Sequence, residues 1–165
     1  MPRRKDSKAT RQLNKEPRKP IARKRTLTQL KNELDKVFSK YIRAKHADDS
    51  GYVRCVTCNR RHLVGNAHAG HFASRRHMAT RWDEDNVKPQ CFQCNITDQG
   101  RQWRFGQYLD SIEQGLAAKV MARSEARTKN SANVLIAATE HYRELLQELE
   151  EQKNLNWKRT PRPPR

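Results

Sequence analysis

The sequence predicts an α+β fold, mostly helical, in which a small cysteine-stapled core lies between flanking α-helices and disordered basic tails. Three observations lead there. Apolar residues recur at helical spacing in long segments toward both ends. All four cysteines fall in two Cys-x-x-Cys pairs, Cys55/Cys58 and Cys91/Cys94, with short extended stretches around them. Only 35% of the 165 residues are apolar while 32% are charged, which is too little for one large core and favours a staple.

The charge is lopsided, with 35 Lys and Arg against 18 Asp and Glu, net +17, and the mean hydropathy is −1.11. Such a surplus suits a polyanion, because neutralising phosphates releases counterions and drives non-specific nucleic-acid binding. A membrane partner is not expected. No basic helix has a consistently apolar opposite face, no apolar run could span a bilayer, and the basic N-terminus lacks the apolar segment of a secretory signal. DNA as partner and a cytoplasmic location are the expectations.

Residues 1–25 hold eleven Lys and Arg, three Pro and almost no large apolar side chain, which reads as a disordered basic arm. A first helix within 26–48 opens on Thr26-Leu27-Thr28-Gln29, a capping box. Leu30, Leu34, Val37, Phe38, Tyr41 and Ile42 form its apolar stripe. The core unit spans 52–115. Tyr52-Val53-Arg54 enters the first cysteine pair as a short strand, 59–62 form a knuckle turn and 63–68 a second strand. Residues 72–81 lack periodicity and read as a loop. A helix after Asn95 carries Trp103, Phe105, Tyr108, Leu109 and Ile112, with Gly115 as its stop; Trp82 and Trp103 are expected in the small core. His46 and His141 are expected at the surface, and His62 and His77 near phosphate.

Over 116–153 the pattern predicts a helix at 116–127 and a longer one marked by Val134, Leu135, Ala138, Tyr142, Leu145, Leu146 and Leu149. That stripe is expected to pack on the first helix, although it also suits a homodimer seam. Residues 154–165 are basic and Pro-rich and read as a disordered tail.

In a reducing compartment, paired cysteines are better metal ligands than disulfides. Four thiolates can close a tetrahedron around Zn²⁺ and leave no open position, so Cys55, Cys58, Cys91 and Cys94 predict a structural zinc. Ordinary buried cysteines would not all fall at ligand spacing with none left over.

Between the pairs lie Ala69-Gly70-His71-Phe72 and Asn86, and Asn95 follows Cys94. This pattern resembles an HNH, or ββα-metal, nuclease of the zinc-stapled kind. Gly-His-Phe, Ser74-Arg75, Arg81, Asp85-Asn86-Val87, Gln90-Cys91 and Cys94-Asn95 resemble the phage NinG (Rap) recombination family, from about Tyr52 through Gly115. The Cys-x-x-Cys-Asn ending is more distantly similar to endonuclease VII. The resemblance implies a Mg²⁺- or Mn²⁺-dependent endonuclease for branched recombination intermediates, Holliday junctions and D-loops, working in the host-cell cytoplasm. It further implies His71 as general base, Asn86 as the residue holding the hairpin loop and Asn95 as a ligand of the catalytic metal.

The residue types suit that chemistry. A neutral His71 can take a proton from water, Asn95 offers Mg²⁺ a hard oxygen, and Arg75, Arg76 and Arg81 can clamp phosphates. One position departs from the pattern. Many such sites carry an Asp before the base histidine, and here that position is Gly70. His68 or Asp98 is left to replace it as a metal ligand. Two other functions remain open: a non-catalytic zinc-containing nucleic-acid-binding module, and a sequence-specific HNH nuclease.

Overall fold

The computed structural model describes residues 25–158, so the arm expected over 1–25 and the end of the tail lie outside the described residues apart from Arg25. Helix α1 (Leu27–Lys45) starts as its sequence predicts. The Thr26 hydroxyl accepts from the Gln29 amide, and the Gln29 side chain accepts from the Thr26 amide. Its stripe buries Leu30, Leu34, Phe38, Tyr41 and Ile42. The long C-terminal helix, Ala132–Gln152 (α4 below), is capped by Ser131 and packs against α1 through Leu135 and Leu146. Phe38 and Tyr142 meet edge to face at 4.8 Å. Within the chain, then, the two amphipathic faces satisfy each other.

Two antiparallel hairpins lie beside this pair. In the first, β1 (Tyr52–Arg54) pairs with β2 (Arg61–Leu63), Val53 opposite His62. In the second, β3 (His68–His71) pairs with β4 (Val87–Gln90), His68 opposite Gln90 and His71 opposite Val87. The strand expected over 63–68 is therefore divided. Its first residue belongs to β2, a 3₁₀ turn over Val64–Asn66 intervenes, and β3 begins at His68. Strand β4 carries no period-two signal because all four of its residues are buried, and it contains Pro89, which argues against a strand.

The helix expected after Asn95 is broken. A π turn (Gln93–Thr97) is followed by three residues with positive φ, Gln99 at 50°, Gly100 at 87° and Arg101 at 48°. Only then does α2 (Gln102–Ile112) begin. Gly115 does not stop α2. It stands at φ 79° as the N-cap of α3 (Leu116–Ser124), which is shorter than the 116–127 expected. Phe105, Leu109, Leu116, Val120 and Ala73 make a second small core. Trp103 is not in it: with Phe105 and Leu109 facing inward, Trp103 lies about 200° around the helix from Phe105 and is 78% exposed. Trp82 does pack on the α1–α4 core. His46, expected at the surface, caps the α1 C-terminus and is half-buried.

The disordered tail expected from 154 corrects to a docked strap, as far as residue 158. Lys153 Nζ donates to the carbonyls of Ala44 (3.0 Å), Lys45 (3.3 Å) and Ala47 (2.8 Å), closing the end of α1. Leu155 and Trp157 cover Val53, Val64 and Ala67. Lys40 and Arg43 stand over the Trp157 ring, 5.4 and 5.0 Å from its centre. A Cβ on Gly65 would lie 2.7 Å from the Trp157 carbonyl oxygen, so glycine is what admits the strap. Two isolated apolar residues among polar ones give no periodicity, which is why the composition reads as a tail.

Candidate metal centre and catalytic cleft

The knuckle after β1 supplies Cys55 and Cys58, and the turn after β4 supplies Cys91 and Cys94. All four sulfurs lie within 4.8 Å of one another, and Cys58 Sγ is 3.9 Å from Cys91 Sγ. A tetrahedral zinc with Zn–S bonds of about 2.3 Å sets sulfurs about 3.8 Å apart. The residues fit: the four cysteines can bind one zinc ion. Asn59, at φ 58°, turns the first knuckle. The Cys94 amide lies 3.4 Å from Cys91 Sγ, and the Thr57 hydroxyl is 3.3 Å from Cys55 Sγ. Burial opposes ionisation of Cys55, yet the Thr57 hydroxyl and nearby backbone N–H groups outweigh it and bring that thiol down to about 6. Cys58 and Cys91 are raised, chiefly by burial and also by the neighbouring thiols. A dication among them would remove that repulsion.

Beside this centre opens a cleft of about 720 Å³. Helix α1 contributes Ser39 and Arg43, β3 contributes His68 and His71, the following loop Ser74 and Arg75, and the π turn Asn95. His68, His71 and Arg75 are thus brought to one cavity with Asn95, twenty positions after Arg75. Asn95 stands in the π turn with its amide bonded to the Cys91 carbonyl at 2.9 Å, so the second cysteine pair places it directly. His68 meets Phe92 edge to face at 5.7 Å.

His71 ends β3. Its Nε2 lies 3.0 Å from the Arg81 carbonyl oxygen. A carbonyl only accepts, so Nε2 carries the proton and Nδ1 is the unprotonated nitrogen. Burial, the largest influence, lowers the His71 pKa and keeps the ring neutral near pH 7; the Arg81 carbonyl and Asp35 act the other way.

Asn86 is fully buried beneath the 72–86 loop. Its Oδ1 accepts from the Ala73 amide at 2.6 Å, and its Nδ2 donates to the carbonyls of Ala73 (3.0 Å) and Thr80 (2.8 Å). The Phe72 amide donates to its backbone carbonyl at 2.9 Å. It ties both ends of the loop together behind His71. The loop also meets α3: His77 Nδ1 donates to the Ser124 carbonyl and Arg123 pairs with Asp83 and Asp85, while the His77 residue as a whole stays exposed.

Arg81 also differs from expectation. Its Nε and Nη2 bind the two oxygens of Asp35 at 3.0 and 2.5 Å, so its guanidinium is engaged within the fold and Arg75 and Arg76, both exposed, carry the free charge of this loop. Asp98 is likewise engaged within the fold. Its carboxylate is bound to Gln93 Nε2 at 2.9 Å and Arg101 Nε at 2.6 Å, and it is not among the residues that line the cleft.

A family model described as Bacteriophage Lambda NinG protein matches residues 1–152. The chain belongs to the NinG family. No curated protein and no solved structure matches it. In this NinG chain the glycine at position 70 has a local cause. A Cβ there would stand 2.1 Å from Gln90 Oε1. Gln90 is itself fully buried, its Nε2 donating to Gly100 O at 2.7 Å and Thr57 Oγ1 at 3.2 Å. The space an acidic side chain would need is filled by a glutamine that links β4 to the first knuckle and to the turn after Asn95. Gln90 lies within the motif yet suggests no role from sequence; neither do Asp35, Ser39 and Arg43, although their i, i+4, i+8 spacing sets them along one side of α1.

Proposed function

We propose that this NinG-family chain is a divalent-metal-dependent endodeoxyribonuclease that hydrolyses phosphodiester bonds in branched recombination intermediates, Holliday junctions and D-loops among them. The observation that carries the reading is His71: a neutral imidazole on the cleft wall, with Nε2 held by the Arg81 carbonyl and Nδ1 left as a base. The arrangement of a β3–β4 hairpin followed by the π turn and α2, with His71, Asn86 and Asn95 at its three stations, supports an HNH-type site.

In this mechanism His71 Nδ1 takes the proton of the attacking water. Arg75, with Arg76 beside it, holds the flanking phosphates. Asn95 offers its amide oxygen, and His68 its ring, to a cation. No carboxylate lines the cleft among the described residues, so Asn95 and His68 are the side chains there that would hold a Mg²⁺ or Mn²⁺. When bound, that cation would stabilise charge on the phosphate and the leaving oxygen.

The same lack of a carboxylate favours a second reading, a non-catalytic zinc-containing module that binds nucleic acid. A labelled four-way junction and a linear duplex of matching sequence, each incubated with the zinc-loaded protein and Mg²⁺ or Mn²⁺, separate these. Nicks at the branch of the junction are expected. Binding without nicks under any metal condition would leave the module, and sequence-dependent cutting of the linear duplex would indicate a sequence-specific HNH nuclease.

A further inference from the structure

We infer that Asp35, on α1 and outside the hairpin motif, is a positioning residue for His71. The inference rests on the reading of His71 as general base. Asp35 Oδ1 accepts from Arg81 Nε at 3.0 Å and from Trp82 Nε1 at 2.9 Å, while Oδ2 accepts from Arg81 Nη2 at 2.5 Å. One carboxylate therefore grips two consecutive side chains. The carbonyl that fixes His71 Nε2, 3.0 Å away, belongs to the peptide bond between those same two residues. Holding the side chain on each side of a rigid peptide plane fixes the direction of its C=O. The route from α1 to the imidazole passes through two partly buried residues, Asp35 and Arg81.

Neighbouring contacts steady the two residues on either side of that peptide. Arg81 Nη1 donates to the Arg75 carbonyl at 3.2 Å, and the Tyr142 hydroxyl reaches the Trp82 carbonyl at 3.4 Å. The Asp35 and Arg81 side chains are 22% and 17% exposed, sheltered enough for the bidentate geometry to hold its direction. An ion pair serving stability alone has no need to converge on the one carbonyl that sets a histidine tautomer. Support of this kind, one step behind a reacting group, is commonly worth a tenfold to hundredfold change in site performance.

The test compares the full-length zinc-loaded protein with Asp35→Asn, Arg81→Lys and Trp82→Phe. Asp35→Asn removes the charge and one acceptor, Arg81→Lys removes the fork but keeps the charge, and Trp82→Phe removes a single arm. Two readouts are taken: the ¹⁵N shifts of the His71 ring, and the single-turnover nicking rate on a saturating four-way junction, with junction affinity and thermal midpoint measured alongside. Wild type is expected to show the Nε2–H tautomer. Asp35→Asn and Arg81→Lys are expected to show a mixture of tautomers and rates about tenfold or more lower, with affinity within about twofold; Trp82→Phe falls between. Asp35→Asn with wild-type ring shifts and rate overturns the inference, as does a rate loss fully matched by loss of folded protein. If Asp35→Asn does not fold, wild-type ring shifts in both other variants overturn it. If wild type nicks nothing but its His71 tautomer still depends on Asp35, positioning stands and the nuclease reading falls.

Discussion

At the residue scale, the site is built from side chains whose partners leave them one orientation. Asn86 makes three hydrogen bonds from a fully buried position, and no other residue type offers one acceptor and two donors in that shape. Asn86→Ala takes the Asn86 side chain from the Ala73 amide and carbonyl and leaves the Thr80 carbonyl only its bond from the Asp83 amide, and is expected to cost about 2–4 kcal/mol, read as a fall in the urea midpoint. Asn86→Asp should cost at least as much, because a carboxylate would face two carbonyls. Trp103→Ala, by contrast, should leave the thermal midpoint unchanged. These residues were unequally legible. Histidine and asparagine stood out by chemistry, whereas the engaged state of Arg81 was hidden because its partner Asp35 lies 46 positions away.

At the element scale, the strap over 153–158 is the least expected feature. Ending the chain at Gln152 removes Lys153 from the carbonyls of Ala44, Lys45 and Ala47 and uncovers Val53 and Val64. The expected result is a thermal midpoint lower by several degrees and faster proteolysis near Gly65; an unchanged midpoint would contradict the docked strap. His46, at the same end of α1, makes stability depend on pH. Burial first, then the charges of Lys88 and Lys45, lower its pKa from 6.5 to about 4. The folded state thus favours the neutral ring, and the unfolded state binds more protons between those values. The contribution is full above about pH 6.5 and is lost as pH falls toward 4, on the order of 1–2 kcal/mol for a half-buried group. His46→Gln should flatten that acid limb in denaturant titrations. Periodicity and capping revealed α1 and α4, since each presents a long face to one partner. It could not reveal β4, buried on all sides, nor the break at 99–101, where φ turns positive in two residues that are not glycine.

At the scale of the whole molecule, three small cores and a cysteine cluster share the work of holding 134 described residues, 25–158, together. The cluster joins the β1–β2 knuckle to the turn that carries Asn95, so cysteine cluster and cleft are mechanically one unit. Chelating the zinc, or replacing Cys55 by Ser, is expected to unfold the hairpin region while α1 and α4 retain part of their helical signal. Elemental analysis should find one zinc per chain, and a Cys55→Ser protein keeping fold and zinc would refute the tetrad. The excess of positive charge should make DNA affinity fall steeply with salt, and Arg75→Ala and Arg76→Ala should each reduce that slope by about one.

The central claim is that His71 does chemistry on DNA bound by this basic surface. Its most direct test is the single-turnover nicking rate of a four-way junction with Mg²⁺, wild type beside His71→Ala, with junction affinity measured on the same samples. The account predicts nicking by wild type, a loss of about a hundredfold or more in the variant, and junction affinity preserved. Equal nicking by both proteins, or none by wild type with either Mg²⁺ or Mn²⁺, would contradict it.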